Sequence, residues 1–160
     1  MRIALGNDHA GLGLKPHVAR ALTELGAEVI DLGPDTEDPV DFPDITRATC
    51  EPVRSGAADR AVLVCGTGVG ACIAANKMPG IRAAVCHDTY CAAQGVEHDD
   101  VNVLCLGAWI VGPAIAGDVI RAFLGATFST DPDFRRRVQK LHQMERDAAT
   151  YEFADQGGTS

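Results

Sequence analysis

The chain of 160 residues lacks any apolar run approaching the roughly 18 residues of a membrane span. Its opening, MRIALGNDHAG, enters a strand and then polar residues, without the long apolar core or small-residue cleavage site of an export signal. The expectation is a soluble protein of the cytoplasm with no membrane partner. A positive face is missing too: the 14 basic residues are scattered apart from Arg135-Arg136-Arg137, and the net charge is −8, so nucleic acid is not expected as a partner. The six cysteines, at positions 50, 65, 72, 86, 91 and 105, form no Cys-x-x-Cys pair, and four lie in or beside apolar runs where a reduced thiol packs as a small hydrophobe. Disulfides and zinc are both disfavoured. His87-Asp88 and His98-Asp99-Asp100 join imidazoles to carboxylates, but no His-x-x-x-His or comparable ligand spacing accompanies them, so hydrogen bonding and helix capping are expected of them and no metal. Internal repeats and low-complexity segments are absent.

What is present is a regular alternation. With 46% hydrophobic residues, a chain of this size can bury roughly two thirds of its unfolded surface, which suits one domain over residues 1–150. Strand-like runs fall at Arg2 to Leu5, Glu28 to Leu32, Ala61 to Cys65, Arg82 to Cys86 and Val101 to Leu106. Segments of helical period follow them, from about Leu12 to Leu25, after Pro43, from Val69, from Asp88 to Gly95 and from Pro113 to Leu124. Near-continuous apolar strands such as AVLVC belong in a parallel sheet covered on both faces, which predicts a Rossmann-like, doubly wound α/β/α sandwich of three layers around five parallel strands. A last charged helix, about Asp131 to Thr150, carries Phe134, Val138, Leu141, Met144 and Ala148 as an apolar stripe, expected to dock on a partner subunit. The tail 151–160 has too little apolar content to hold itself down and is expected to be disordered.

Doubly wound sheets place their sites outside the carboxyl ends of the strands. There lie GNDHAG, CGTGVG, CHD and LGAW, after the first, third, fourth and fifth strands. Gly66-Thr67-Gly68-Val69-Gly70 can aim several main-chain N–H groups at one point and leave a helix N-terminus open to a negative ligand. Tight strand-to-helix packing alone would also use these glycines. A dinucleotide fingerprint is the sharper rival, since Gly66-x-Gly68-x-x-Ala71 fits its pattern and Asp88 ends the next strand. That reading, a nucleotide-binding oxidoreductase or sensor, leaves Cys65 without a task. A sulfur at a helix N-terminus is favoured as thiolate, able to act as nucleophile or proton acceptor, and the adjoining turn offers the oxyanion site that proton abstraction needs. Cys65 is therefore read as a base, with Asp8-His9 at the end of the first strand as sugar-binding or proton-shuttling groups.

GNDHAG, DFP at 41–43, CGTGVG, IAANKMPGIRAAVC, EHDDVNVL and RRRV at 135–138 together resemble the type B ribose-5-phosphate isomerases and their galactose-6-phosphate isomerase relatives, over about Met1 to Ala148. The resemblance implies a cofactor-independent aldose–ketose isomerase, a homodimer or two such dimers paired into a tetramer, with its active site between subunits, acting on a sugar or sugar phosphate. It implies Cys65 as the base between C2 and C1, and Thr67 with the N–H groups of Gly66, Gly68, Val69 and Gly70 as the enediolate cradle. His98 is implied as the ring-opening histidine, Asp8 as its helper, and His9 with Arg137 as holders of the far end of the substrate. The branch of the family that uses a glutamate beyond the turn is not followed, since Cys72 and Ile73 stand there. The departures concern the phosphate: Trp109 stands where an arginine is common, Asp133 and Phe134 where an Arg-His pair is, Asp99 where an asparagine is, and Phe42 where a tyrosine often is. They imply an intact isomerisation centre with shifted substrate choice. An unphosphorylated or differently substituted sugar stacked on aromatic rings is one outcome, and a phosphate site rebuilt from Arg135, Arg136, Arg137 and Lys140 is another. A catalytically weak paralogue within a hetero-oligomer is disfavoured by the presence of Cys65, Thr67 and His98.

Overall fold

The computed structural model describes residues 1–150; the expected disordered tail lies outside them. The elements run β1 (Arg2–Asn7), α1 (Lys15–Glu24), β2 (Glu28–Asp31), α2 (Phe42–Arg54), β3 (Arg60–Cys65) and α3 (Val69–Ala75). They continue with β4 (Ala83–Val85), α4 (Thr89–Asp99), β5 (Val103–Gly107), α5 (Pro113–Gly125) and α6 (Pro132–Ala148). The five strands pair in parallel in the order β2-β1-β3-β5-β4. Helices α1, α4 and α5 pack together on one face and α2 with α3 on the other, which is the doubly wound three-layer sandwich that the apolar runs predict. Among the described residues no helix is long and apolar enough to cross a membrane.

The pleat separates two cores. Val62, Val64, Leu104 and Leu106 join Val18, Leu22, Val96 and Phe123 on one side, whereas Ala61, Leu63, Cys65, Val103 and Cys105 join Cys50, Ala71 and Ala75 on the other. Central β3 and β5 are buried almost end to end, while edge strand β2 exposes Glu28 and Asp31. Strand β3 feeds α3 on one face, but its neighbours β1 and β5 feed α1 and α5 on the other. The connecting loops therefore part on both sides of the β3 tip, leaving a topological switch point along each of its seams.

Several boundaries depart from the periodicity. Helix α1 begins at Lys15 rather than Leu12, because a short 3₁₀ turn, His9–Gly11, intervenes, capped by the Asp8 carboxylate accepting from the Gly11 N–H at 3.0 Å. Helix α4 runs past Gly95 to Asp99 and stops where Asp100 takes a left-handed φ of 53°, so His98 lies in its last turn. In α6 the half-buried and buried stripe is Phe134, Val138, His142 and Glu145, leaving Leu141 and Met144 exposed. The stripe is turned because polar side chains meet the same chain: Arg82 reaches His142 at 3.3 Å, and the Gly80 N–H donates to Glu145 at 3.2 Å.

Candidate active site

The turn after β3 folds around the Cys65 sulfur. Cys65 is 6% exposed. Its Sγ accepts the Gly68 N–H at 3.0 Å, and Gly68 reaches back to it through a left-handed φ of +82° that a residue without a Cβ adopts freely. The Val69 N–H is taken by Thr67 Oγ1 at 3.3 Å. Two of the N–H groups expected in an anion cradle thus bond within the turn. Among the described residues, no protein acceptor meets the N–H groups of Gly66, Thr67, Gly70 or Ala71, and these four are the donors left to stabilise a developing oxyanion. Ala71 is one that the glycine spacing did not disclose; its signal is its place in the first turn of α3, where N–H groups have no intrahelical partner.

Two aromatic rings border the turn. A Cβ built on Gly66 would come within 2.7 Å of the Trp109 ring, and one on Gly70 within 3.3 Å of the Phe42 ring. Trp109 is 73% exposed, held through its own N–H to the Gly66 carbonyl at 3.0 Å. Its ring fills the side of Gly66 on which a Cβ would stand, and α3 behind the turn has only seven residues. Both features weigh against the dinucleotide reading.

The end of β1 delivers Asp8 and His9 to the same place. Asn7 pairs in register with Val64, and the Asp8 N–H donates to the Val64 carbonyl at 3.2 Å. A Cβ on Gly11 would come within 2.1 Å of that carbonyl, so only glycine lets the 3₁₀ turn press so closely on β3. His9 is exposed, and its Nδ1 accepts the Val40 N–H at 3.4 Å, tying the approach to α2 to the site. Fully buried Asn7 supports this arrangement by donating from Nδ2 to the carbonyls of Asp8 and Pro34 at 3.1 and 3.2 Å. Buried Lys15 holds the same loop through Asp35 at 2.7 Å and Asp31 at 3.0 Å. Burial alone would lower its pKa, yet the hydrogen bonds and charges of the two aspartates raise it. Neither residue stands out in the sequence, since a polar side chain at the end of an apolar strand or in a first helical turn is ordinary.

His98, Phe134 and Arg137 form a separate cluster. Helix α4 runs back from the carboxyl edge of the sheet to the start of β5, so its last turn stands at the amino edge, with the length of the sheet between His98 and Cys65. There the His98 imidazole stacks on the Phe134 ring at 3.9 Å and 14°, and the Arg137 guanidinium lies over the same phenyl ring at 5.2 Å. The neighbouring cations are engaged elsewhere: Arg136 pairs with Asp133, and Arg135 lies over Phe128. Of the arginine run, Arg137 alone lies over the ring that stacks on His98. The other histidines have structural work. His87 Nε2 accepts the Gly107 N–H at 3.0 Å, Asp88 caps α4 by accepting from the Cys91 N–H at 2.7 Å, and His17 Nδ1 lies 3.5 Å from Arg20. That cap, with the Cys91 thiol bonded beside it, holds the Asp88 carboxyl below its usual range. Among the described residues no group of three or more His, Cys, Asp or Glu side chains is arranged to hold a metal ion.

A model of the family described as Ribose/Galactose Isomerase matches residues 3–141. The ribose-5-phosphate isomerase B of Escherichia coli is 42% identical over 145 residues, covering 91% of this chain and 97% of that protein. The D-erythrulose-4-phosphate isomerase of Pectobacterium atrosepticum is 40% identical over 130 residues, covering 80% and 85% of the two chains. Among solved structures, the ribose-5-phosphate isomerase B of Clostridium thermocellum superposes with a TM-score of 0.89 at 43% identity, covering 92% of this chain and 99% of that one.

Proposed function

The chain belongs to the ribose/galactose isomerase family of aldose–ketose isomerases, and from that premise we propose that it interconverts a short aldose phosphate and its ketose without a cofactor, with Cys65 as the base. The observation that carries this reading is the Cys65 sulfur in a turn whose Gly66, Thr67, Gly70 and Ala71 N–H groups have no protein acceptor among the described residues. In the aldose, C2 bears a hydrogen next to the C1 carbonyl. Cys65 as thiolate takes that hydrogen as a proton, and the electron pair left on C2 moves into the C1–C2 bond as the carbonyl oxygen becomes an enediolate oxyanion. The N–H groups of Gly66, Thr67, Gly70 and Ala71 and the Thr67 hydroxyl meet that charge. The thiol then delivers a proton to C1 while the O2 hydroxyl proton passes to O1 and the carbonyl forms at C2, which gives the ketose and restores the thiolate; exchange of the thiol proton with solvent before delivery lets deuterium enter at carbon. Asp8 assists at a ring oxygen or hydroxyl and His9 contacts the more distant part of the sugar, a reading supported by the Asp8 N–H bond to the Val64 carbonyl at the tip of β3.

His98 and Arg137 stand at the other edge of the sheet from Cys65. A complete site therefore takes Cys65 and its turn from one copy of the chain and His98 with Arg137 from a second, His98 moving the proton of ring opening and Arg137 holding the terminal anion. The exposed Leu141 and Met144 of α6, together with Val69 and Ile73 beside the turn, are apolar surface that such a pairing covers.

A second reading, in which the far end of the substrate carries no phosphate, is favoured by one observation: Trp109 occupies the wall over Gly66 with a ring in place of a cation. One experiment addresses both. Ribose 5-phosphate, erythrose 4-phosphate and the corresponding free aldoses are incubated in D2O with the protein and with Cys65→Ala. Deuterium entering one carbon-bound position of a sugar phosphate, and loss of that exchange by about 10² to 10⁴ in the variant, is the expected result. Exchange that survives in Cys65→Ala defeats the assignment of the base, and exchange confined to the free aldoses selects the second reading.

A further inference from the structure

We infer that the Phe134 ring is a positioning residue for His98, holding its imidazole by stacking alone for the ring-opening proton transfer; the inference rests on the isomerase reading above. An imidazole that moves a proton needs its plane fixed, and this is ordinarily done by a hydrogen bond from its second nitrogen to a carboxylate or carbonyl. Among the described residues no hydrogen bond reaches either ring nitrogen of His98. What it has instead is a near-parallel phenyl face at 3.9 Å and 14°. Stacking in that geometry fixes the plane of the imidazole but leaves its rim open, so both nitrogens stay free for substrate.

The two rings come from different elements. His98 is in the last turn of α4 and Phe134 in the first turn of α6, and the helices pack against each other there. Both rings are half-buried, unlike the core aromatic Phe123, which is fully buried. Arg137, one turn further along α6, lays its guanidinium over the same ring at 5.2 Å. One phenyl ring thereby orders a proton-transfer group and the cation beside it, and its loss should act on turnover through His98 and on affinity through Arg137.

The test uses two sugars that differ in whether they must be opened. Ribose 5-phosphate closes into a furanose through its free O4, whereas erythrose 4-phosphate has O4 esterified and no hydroxyl placed to close a ring. For Phe134→Leu, kcat on ribose 5-phosphate is expected to fall about ten- to a hundredfold, with kcat on erythrose 4-phosphate held within about twofold and KM raised for both. Phe134→Tyr, which keeps the ring face, should restore kcat. In proton NMR spectra the His98 ring signals should show an aromatic ring-current shift that disappears in Phe134→Leu and persists in Phe134→Tyr. Equal kcat losses on both sugars, equal losses in the Leu and Tyr variants, or His98 signals indifferent to Phe134 would each overturn the positioning role. If the wild type turns over only the pentose, the Leu and Tyr variants decide; if only the tetrose, there is no ring-opening step and the inference falls. Turnover of neither sugar would defeat the sugar-phosphate isomerase reading itself, a result distinct from any of these because it appears in the unmodified protein.

Discussion

The main-chain N–H of Gly68 donates to the sulfur of Cys65 at 3.0 Å, from a backbone φ of +82°. The contact ties a thiol that packs in the layer of Cys50 and Cys105 to the main chain of the glycine turn. An L residue at position 68 would carry a left-handed strain of about 1 to 2 kcal/mol, and its Cβ would sit 3.3 Å from the Leu106 carbonyl carbon and from Val85. Gly68→Ala should therefore lose stability by about that amount and lower kcat by about tenfold or more with little change in KM. Thermal melts and steady-state kinetics on ribose 5-phosphate measure both. An unaltered kcat would mean that the contact does not set the reactive position of the sulfur.

The separation of Cys65 from His98 gives a complementation result. Cys65→Ala and His98→Ala should each be nearly inactive on ribose 5-phosphate, since every site in either pure variant lacks one of the two groups. After subunit exchange in an equal mixture, about half the dimers are mixed and each has one intact site of its two, so about a quarter of wild-type activity should return. No recovery, with exchange verified by mass-tagged subunits, would place both groups in one chain's site.

Trp109 is the position to change for substrate choice. Trp109→Arg restores a guanidinium at the wall over Gly66, and a charge-assisted bond to a phosphate is worth about 1.5 to 3 kcal/mol. KM for ribose 5-phosphate should fall by about ten- to a hundredfold, with the free aldose unaffected or bound less well. An unchanged ratio of the two KM values would show that this wall does not face the phosphate.

Stability should decline in alkali. Burial pushes the thiols of Cys50 and Cys86 up to about 12 from an ordinary 9.0. Between those values the folded protein keeps protons that the unfolded chain releases, so the folded state loses ground as pH rises from 9 to about 12, by up to about 1.4 kcal/mol per pH unit for each thiol. Cys72 acts in the opposite sense: a hydrogen bond with the Cys105 thiol lowers it to about 7 against the effect of burial, so its contribution is complete above pH 9 and lost as pH falls through 7. Urea midpoints across pH 8 to 12 should show Cys50→Ala with a shallower alkaline decline than wild type. Parallel slopes would remove Cys50 from this balance.

The layers were legible in the sequence because runs such as AVLVC and NVLCLG have no polar face to turn outward. Their lateral order was not: full burial marks a strand as central without naming its neighbours, and nothing in Ala83–Val85 announces that β5 inserts between it and β3. The stripe on α6 was read from apolar letters alone, and it turned once His142 met Arg82 and Glu145 met Gly80, contacts between residues distant in the chain. At the site, Cys65, Asp8 and His9 could be placed together because all three end adjacent strands. The distance from them to His98 is a property of α4 running antiparallel to the sheet and extending to Asp99, four residues beyond its apparent end at Gly95.

Trp109 touches the turn from outside, with most of its surface in solvent and its ring resting on a residue that has no side chain. No core residue depends on its size or shape. A change at this one codon should therefore alter what the turn meets in solvent while the folded protein keeps its melting temperature, because the atoms that border the turn here are not the atoms that hold the scaffold together.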